Sequence, residues 1–91
     1  MIYRSRTLPD FWQHYAALPE EIQRRASKQF AIFSENPRHP SLHLKPIGEF
    51  WSVRVSDAYR ALAVREENTF TWFWIGTHVD YERLLRGCRR N

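Results

Sequence analysis

Lys45-Pro-Ile-Gly-Glu-Phe50-Trp-Ser-Val-Arg54-Val-Ser-Asp57-Ala-Tyr59-Arg60-Ala-Leu-Ala-Val-Arg65, then Phe70-Thr-Trp-Phe-Trp-Ile-Gly76-Thr-His78-Val-Asp-Tyr81, is the stretch on which the fold turns. Apolar and polar residues alternate along it, the period of a half-buried strand rather than a helix. Strands are expected near Leu42–Ile47, Phe50–Ser56, Ala58–Arg65 and Thr69–Gly76. Gly48-Glu49, Asp57 and Glu66-Glu67-Asn68 supply the turns, and connections this short require antiparallel hairpins. Thr77–Leu85 regains helical spacing through Val79, Arg83 and Leu84, and Gly87 to Asn91 reads as a frayed tail.

Upstream of the meander the period is 3.6. Ile2–Arg6 is short and alternating, suited to an edge strand. Thr7 with Asp10 three residues on reads as an N-cap. With Pro9 in the first turn and Phe11, Tyr15 and Leu18 on one face, it opens a helix over Leu8–Ala17. Pro19-Glu20-Glu21 opens a second helix, in which Ile22, Ala26, Phe30 and Phe33 form the buried stripe. Gln23, Arg24, Arg25, Lys28 and Gln29 are expected to face away, and Asn36-Pro37 ends it. The fold class is therefore α+β: a short N-terminal strand, two helices packed on one face of a twisted antiparallel sheet, and a short C-terminal helix.

At 91 residues the chain makes one domain, 1–91, with 43% apolar and 15% aromatic residues to fill a core. The net charge is +4 and the pI near 9.7, which favours a polyanionic partner. Twelve of the 14 basic residues are Arg, whose planar fork grips phosphate in two places. Cys88 is the single cysteine, so neither an intrachain disulfide nor a thiolate metal site is expected. No apolar run resembles a signal segment or a membrane span, and a cytoplasmic protein is expected. No cofactor or metal is expected: His39 and His43 are a weak pair, and neither a Gly-x-Ser-x-Gly elbow nor a Gly-rich phosphate loop occurs.

Cations within strands are held at defined positions on a stiff surface, which suits a polyanion of fixed geometry, RNA above all. Period 2 puts Arg54 with Phe50, Ser52 and Ser56 on the more polar face of its strand. Arg60 shares the parity of Leu62 and Val64, and a cation there either pairs with a carboxylate such as Asp57 or turns to the sheet rim to meet phosphate. Lys45 sits beside Pro46 at an edge. His78 stands where strand becomes helix, after a Gly76 that permits a turn, and Tyr81 follows on the same helical face. Together they supply what RNA self-cleavage needs: a base for the 2′-hydroxyl, cations for the scissile phosphate and an acid for the leaving 5′-oxygen.

These residues carry a resemblance. Leu18-Pro19, Asn36-Pro37, Leu44-Lys45, Trp51-Ser52-Val53-Arg54-Val55, Tyr59-Arg60 and Trp74-Ile75-Gly76-Thr77-His78 with Tyr81 and Leu84-Leu85 make the chain similar, over nearly its whole length, to the RelE/ParE superfamily of toxins from type II toxin–antitoxin pairs. The resemblance implies a RelE-like fold whose concave sheet face binds RNA, in a family where many members cut mRNA in the ribosomal A site. It gives Arg54 and Arg60 the role of phosphate and transition-state ligands, Lys45 that of a supporting cation or base, and His78 and Tyr81 proton transfer or base stacking. It also implies an acidic antitoxin as partner, translated mRNA and the ribosome as targets, and contact with DNA only through an antitoxin complex. An apolar seat for the antitoxin is expected near Trp12, Trp51 and Phe50. The ParE branch, which poisons gyrase without cutting RNA, and an inactive RNA-binding relative are the alternatives.

Overall fold

A computed structural model describes residues 3–88. Its elements are β1 (Arg4–Thr7), α1 (Pro9–Ala16), α2 (Glu20–Glu35), β2 (Lys45–Ile47), β3 (Phe50–Ser56), β4 (Tyr59–Glu66), β5 (Thr69–Thr77) and α3 (His78–Cys88). The strands form one sheet in the order β1-β5-β4-β3-β2. The meander β2 to β5 is antiparallel throughout, and β1 closes the other edge parallel to β5. The α+β fold and its meander follow the alternation in the sequence. Ile2 and residues 89–91 of the expected tail lie outside the described residues.

The two faces of the sheet carry separate cores. On one, Phe11 of α1 and Ala26 and Phe33 of α2 pack on Val53, Val55, Ala61, Ala63, Phe70, Trp72 and Ile75. On the other, α3 places Tyr81 and Leu85 against Leu62 and Trp74. Trp72, 1% exposed, is the hub of the first, with Phe30, Phe33 and Phe70 rings at 5.1, 5.4 and 6.2 Å.

Strict alternation breaks in β5. Leu62 pairs with Trp74 and Ala63 with Trp72, so Phe73 bulges without a partner. As a result Phe73, against Phe50 at 5.2 Å, joins Trp74 on the α3 face, while Trp72 and Ile75 face α1 and α2.

Four local expectations are corrected. Leu42–Ile47 is not one strand: Pro40–Leu42 forms a 3₁₀ turn, closed by His39 Nδ1 accepting from the Ser41 N–H at 3.2 Å, and His43 takes a left-handed φ of 46° before β2 begins at Lys45. Thr7 does not cap α1. Leu8 is the cap residue, without a side-chain bond, and Thr7 Oγ1 instead accepts from Trp12 Nε1 at 2.9 Å. Gln23 and Gln29 do not point to solvent. Gln23 donates to the carbonyls of Tyr15 and Leu18, bracing the α1–α2 junction, and Gln29 donates to those of Ser41 and Arg54, tying α2 to the 3₁₀ turn and β3. The helix restarted after Gly76 runs on through Gly87 to Cys88.

No helix among the described residues is long and apolar enough to cross a membrane. Trp72→Ala is expected to cost about 3–5 kcal/mol, because it empties the centre of the larger core. Val79→Ala, at a site 60% exposed, should change stability by less than about 0.5 kcal/mol. Urea unfolding of the two variants checks the contrast.

Candidate functional site

Cross-strand register decides which cations can meet. Arg54 of β3 is paired directly with Arg60 of β4, and Arg60 in turn with Gly76 of β5. Directly opposed residues in an antiparallel pair project from the same face. The next row along reads Lys45, Ser52, Leu62, Trp74. Leu62 and Trp74 belong to the core under α3, so both rows lie on the face that carries α3. Lys45, exposed on the edge strand, is therefore a diagonal neighbour of Arg54 on the arginine face.

Two like charges opposed across a ladder repel, and each is held by a different partner. Arg54 Nη2 is ion-paired with the Asp57 carboxylate; the Arg54 side chain is 32% exposed and that of Asp57 93%. Arg60 does not pair with that carboxylate. Its Nη1 is directed at the carbonyls of Ser56, Tyr59 (2.9 Å) and Asp57 (3.3 Å), closing the two-residue turn between Ser56 and Tyr59. An exposed ion pair of the Arg54–Asp57 kind contributes only about 0–1 kcal/mol, so a phosphate can displace the carboxylate.

The same turn anchors His78. Its backbone N–H donates to the Ala58 carbonyl at 2.7 Å, so the start of α3 and the Arg60 guanidinium are tied to one four-residue segment. Thr77 caps the helix, its Oγ1 accepting from the Asp80 N–H at 3.1 Å. The His78 imidazole, its side chain 42% exposed, stacks on Tyr81 with ring centroids at 5.6 Å and planes 28° apart, and its Nε2 lies 3.5 Å from Glu82 Oε1. Tyr81 itself is 5% exposed within the α3 core. It supports the imidazole more than it faces solvent.

Gly76 is not a turn residue. It lies inside β5, and a Cβ there would stand 2.6 Å from Trp74 Cζ2. Its lack of a side chain lets the Trp74 indole lie over it along the strand.

Among the described residues no group of three His, Cys, Asp or Glu side chains is placed to hold a metal ion. The expected apolar seat does not form one surface: Trp51 packs on the α1–α2 face and Phe50 on the α3 face, leaving Trp12, 51% exposed, alone. Arg65 is a further cation of the sheet, on the face opposite Arg60. Its guanidinium lies 5.1 Å from the Tyr3 ring, 5.2 Å from Trp51 and 5.4 Å from Phe70. Its signal in the sequence is its parity with Ala61 and Ala63, which puts a cation on the apolar face of β4.

Residues 20–83 match the family described as the ParE-like toxin domain. No curated protein sequence matches the chain. Solved structures similar in fold include the archaeal RelE–RelB complex of Pyrococcus horikoshii, 16% identical over 85% of this chain and 96% of that one, with a TM-score of 0.64. A doubly mutated E. coli RelE toxin in the free state is 14% identical over the whole of both chains, with a TM-score of 0.66. YafQ from E. coli is 8% identical over 87% of this chain and 97% of its own, with a TM-score of 0.69.

Gly76→Ala should displace the Trp74 indole and destabilise the domain by about 1–3 kcal/mol, the usual cost of overpacking. Urea denaturation with near-ultraviolet circular dichroism of the indole bands checks both effects. An unchanged spectrum and midpoint would show that the close approach is absent.

Proposed function

The chain belongs to the ParE-like toxin domain family, and from that premise we propose that it is the toxin of a type II toxin–antitoxin pair that cuts translated mRNA without using a metal ion. The observation that carries this reading is the Arg54–Arg60 pair, on one sheet face, with His78 tied to the same turn. In the proposed reaction the ribose 2′-oxygen attacks the adjacent phosphorus and the bond to the 5′-oxygen breaks. A 2′,3′-cyclic phosphate and a 5′-hydroxyl result. His78 takes the proton from the 2′-hydroxyl, and stacking on Tyr81 limits the rotation of its ring. Arg54 and Arg60 stabilise the charge that grows on the non-bridging oxygens. Lys45 adds a positive charge beside the leaving oxygen, which takes its proton from water.

Partners follow from the same reading. The Pyrococcus horikoshii relative is a RelE–RelB complex, and a basic chain of net charge +4 is suited to an acidic antitoxin that folds against it. The ribosome, presenting mRNA, is the proposed place of action, in the cytoplasm. DNA is reached only through the antitoxin complex.

A second reading is supported by the family description, which is ParE-like: inhibition of gyrase without RNA cleavage. That reading requires a DNA-damage response on induction and no new RNA ends.

Inducing the parent and its Arg54→Ala, Arg60→Ala and His78→Ala variants, with RNA ends mapped and folding checked by circular dichroism, separates the two. New 5′-hydroxyl ends are expected from the parent. Each arginine variant should lose about 10²–10³-fold in cleavage rate, and His78→Ala about 10²–10⁴-fold with RNA affinity little changed. Growth arrest by all three folded variants equal to that of the parent would sink the nuclease assignment.

A further inference from the structure

On the opposite face of the sheet, at the other end of β4, lies a cavity of about 330 Å³. Arg65 is five residues along the strand from Arg60, about 17 Å at the rise of a strand, and of opposite parity. The cavity is therefore separate from the arginine row on the α3 face. Its basic residues are Arg38, His39, His43 and Arg65, and no Asp or Glu lines it. Its aromatic walls are Tyr3, Trp51 and Phe70.

Three details show how its polar groups are set. The Arg65 guanidinium rests on all three rings, and its Nε donates to the Glu67 carbonyl at 2.8 Å. Its plane is thereby held, with Nη1 lacking a protein partner among the described residues. His39 Nδ1 accepts from the Ser41 N–H at 3.2 Å, so the neutral ring carries its proton on Nε2, a donor turned from the 3₁₀ turn. His43 holds a left-handed φ of 46°, an uncommon state for a residue with a Cβ. Such residues gather at binding sites.

We propose that this cavity binds a nucleoside monophosphate unit, as a free nucleotide or as the end of an RNA chain. Cations in a lining that holds no Asp or Glu answer the phosphate. A guanidinium plane backed by aromatic rings is a flat, cationic platform, and nucleobases stack on such planes as they do on aromatic rings. A small inorganic anion would use the cations and leave the platform idle. The volume lies at the lower end of the range for small-ligand sites, which fits one nucleotide. This site is independent of RNA cleavage at Arg54 and Arg60.

Titrating the intact chain with AMP, followed by ¹H–¹⁵N NMR, tests it. Saturable shifts are expected at the Trp51 indole N–H and the Arg38 and His43 amides, with inorganic phosphate at least about tenfold weaker. Arg38→Glu, at an exposed position, should weaken AMP about tenfold or more, as expected for loss of a charged hydrogen bond. His43→Gly, which suits the left-handed backbone, should weaken it severalfold without unfolding the chain. A 5′-phosphorylated trinucleotide that displaces AMP better than its 5′-hydroxyl counterpart assigns the site to RNA ends, and failure of both trinucleotides to displace AMP assigns it to free nucleotide. Absence of saturable shifts, shifts equal for phosphate and AMP, or full AMP affinity in both variants would overturn the proposal.

Discussion

The β3–β4 hairpin is the constraint on which the remaining geometry depends. Ser56 and Tyr59 close it across two residues, Arg60 binds the turn carbonyls, Asp57 holds Arg54, and Ala58 accepts the His78 amide. One short segment thus sets the spacing of two guanidiniums and fixes where α3 leaves the sheet. A one-residue slip of β3 against β4 would turn Arg54 into the α1–α2 core and Val53 to the other face, separating Arg54 from Arg60. The burial of Val53, at 1% exposure, opposes that slip.

The two-faced core explains why the arginines remain accessible. Large aromatics concentrate on the α1–α2 side, where Trp72, Phe11, Phe33 and Phe70 are the largest fully buried side chains. The other side needs only a small cluster to seat α3, and that cluster ends at Leu62. Arg54 and Arg60 occupy the next row, where both are only half-buried. The Phe73 bulge serves the same division by directing both Phe73 and Trp74 toward α3.

Much of this was legible in the sequence because period 2 and period 3.6 are properties of the chain itself. β3 has the bounds its alternation gives, and the shared face of Arg54 and Arg60 follows from parity and hairpin pairing. Features set by tertiary contact were hidden. Nothing in Trp72-Phe73-Trp74 marks which residue bulges, since any of the three aromatics could fill either core. The sequence suggests a carboxylate or a phosphate as the partner of Arg60, whereas its partner is the backbone of its own turn. Backbone carbonyls leave no trace in residue identity. Gln23 and Gln29 look like solvent-facing polar residues until the junctions that they brace are known.

The proposed function rests on one kind of ligand, an RNA phosphate held by the arginine row on the α3 face. A crystal structure of the chain with a short RNA carrying a 2′-deoxy substitution at the scissile position tests this most directly. The account requires the scissile phosphate to displace Asp57 and to lie within hydrogen-bonding distance of both Arg54 and Arg60, with the His78 imidazole facing the substituted ribose. A phosphate bound elsewhere, with the Arg54–Asp57 pair intact, would contradict it.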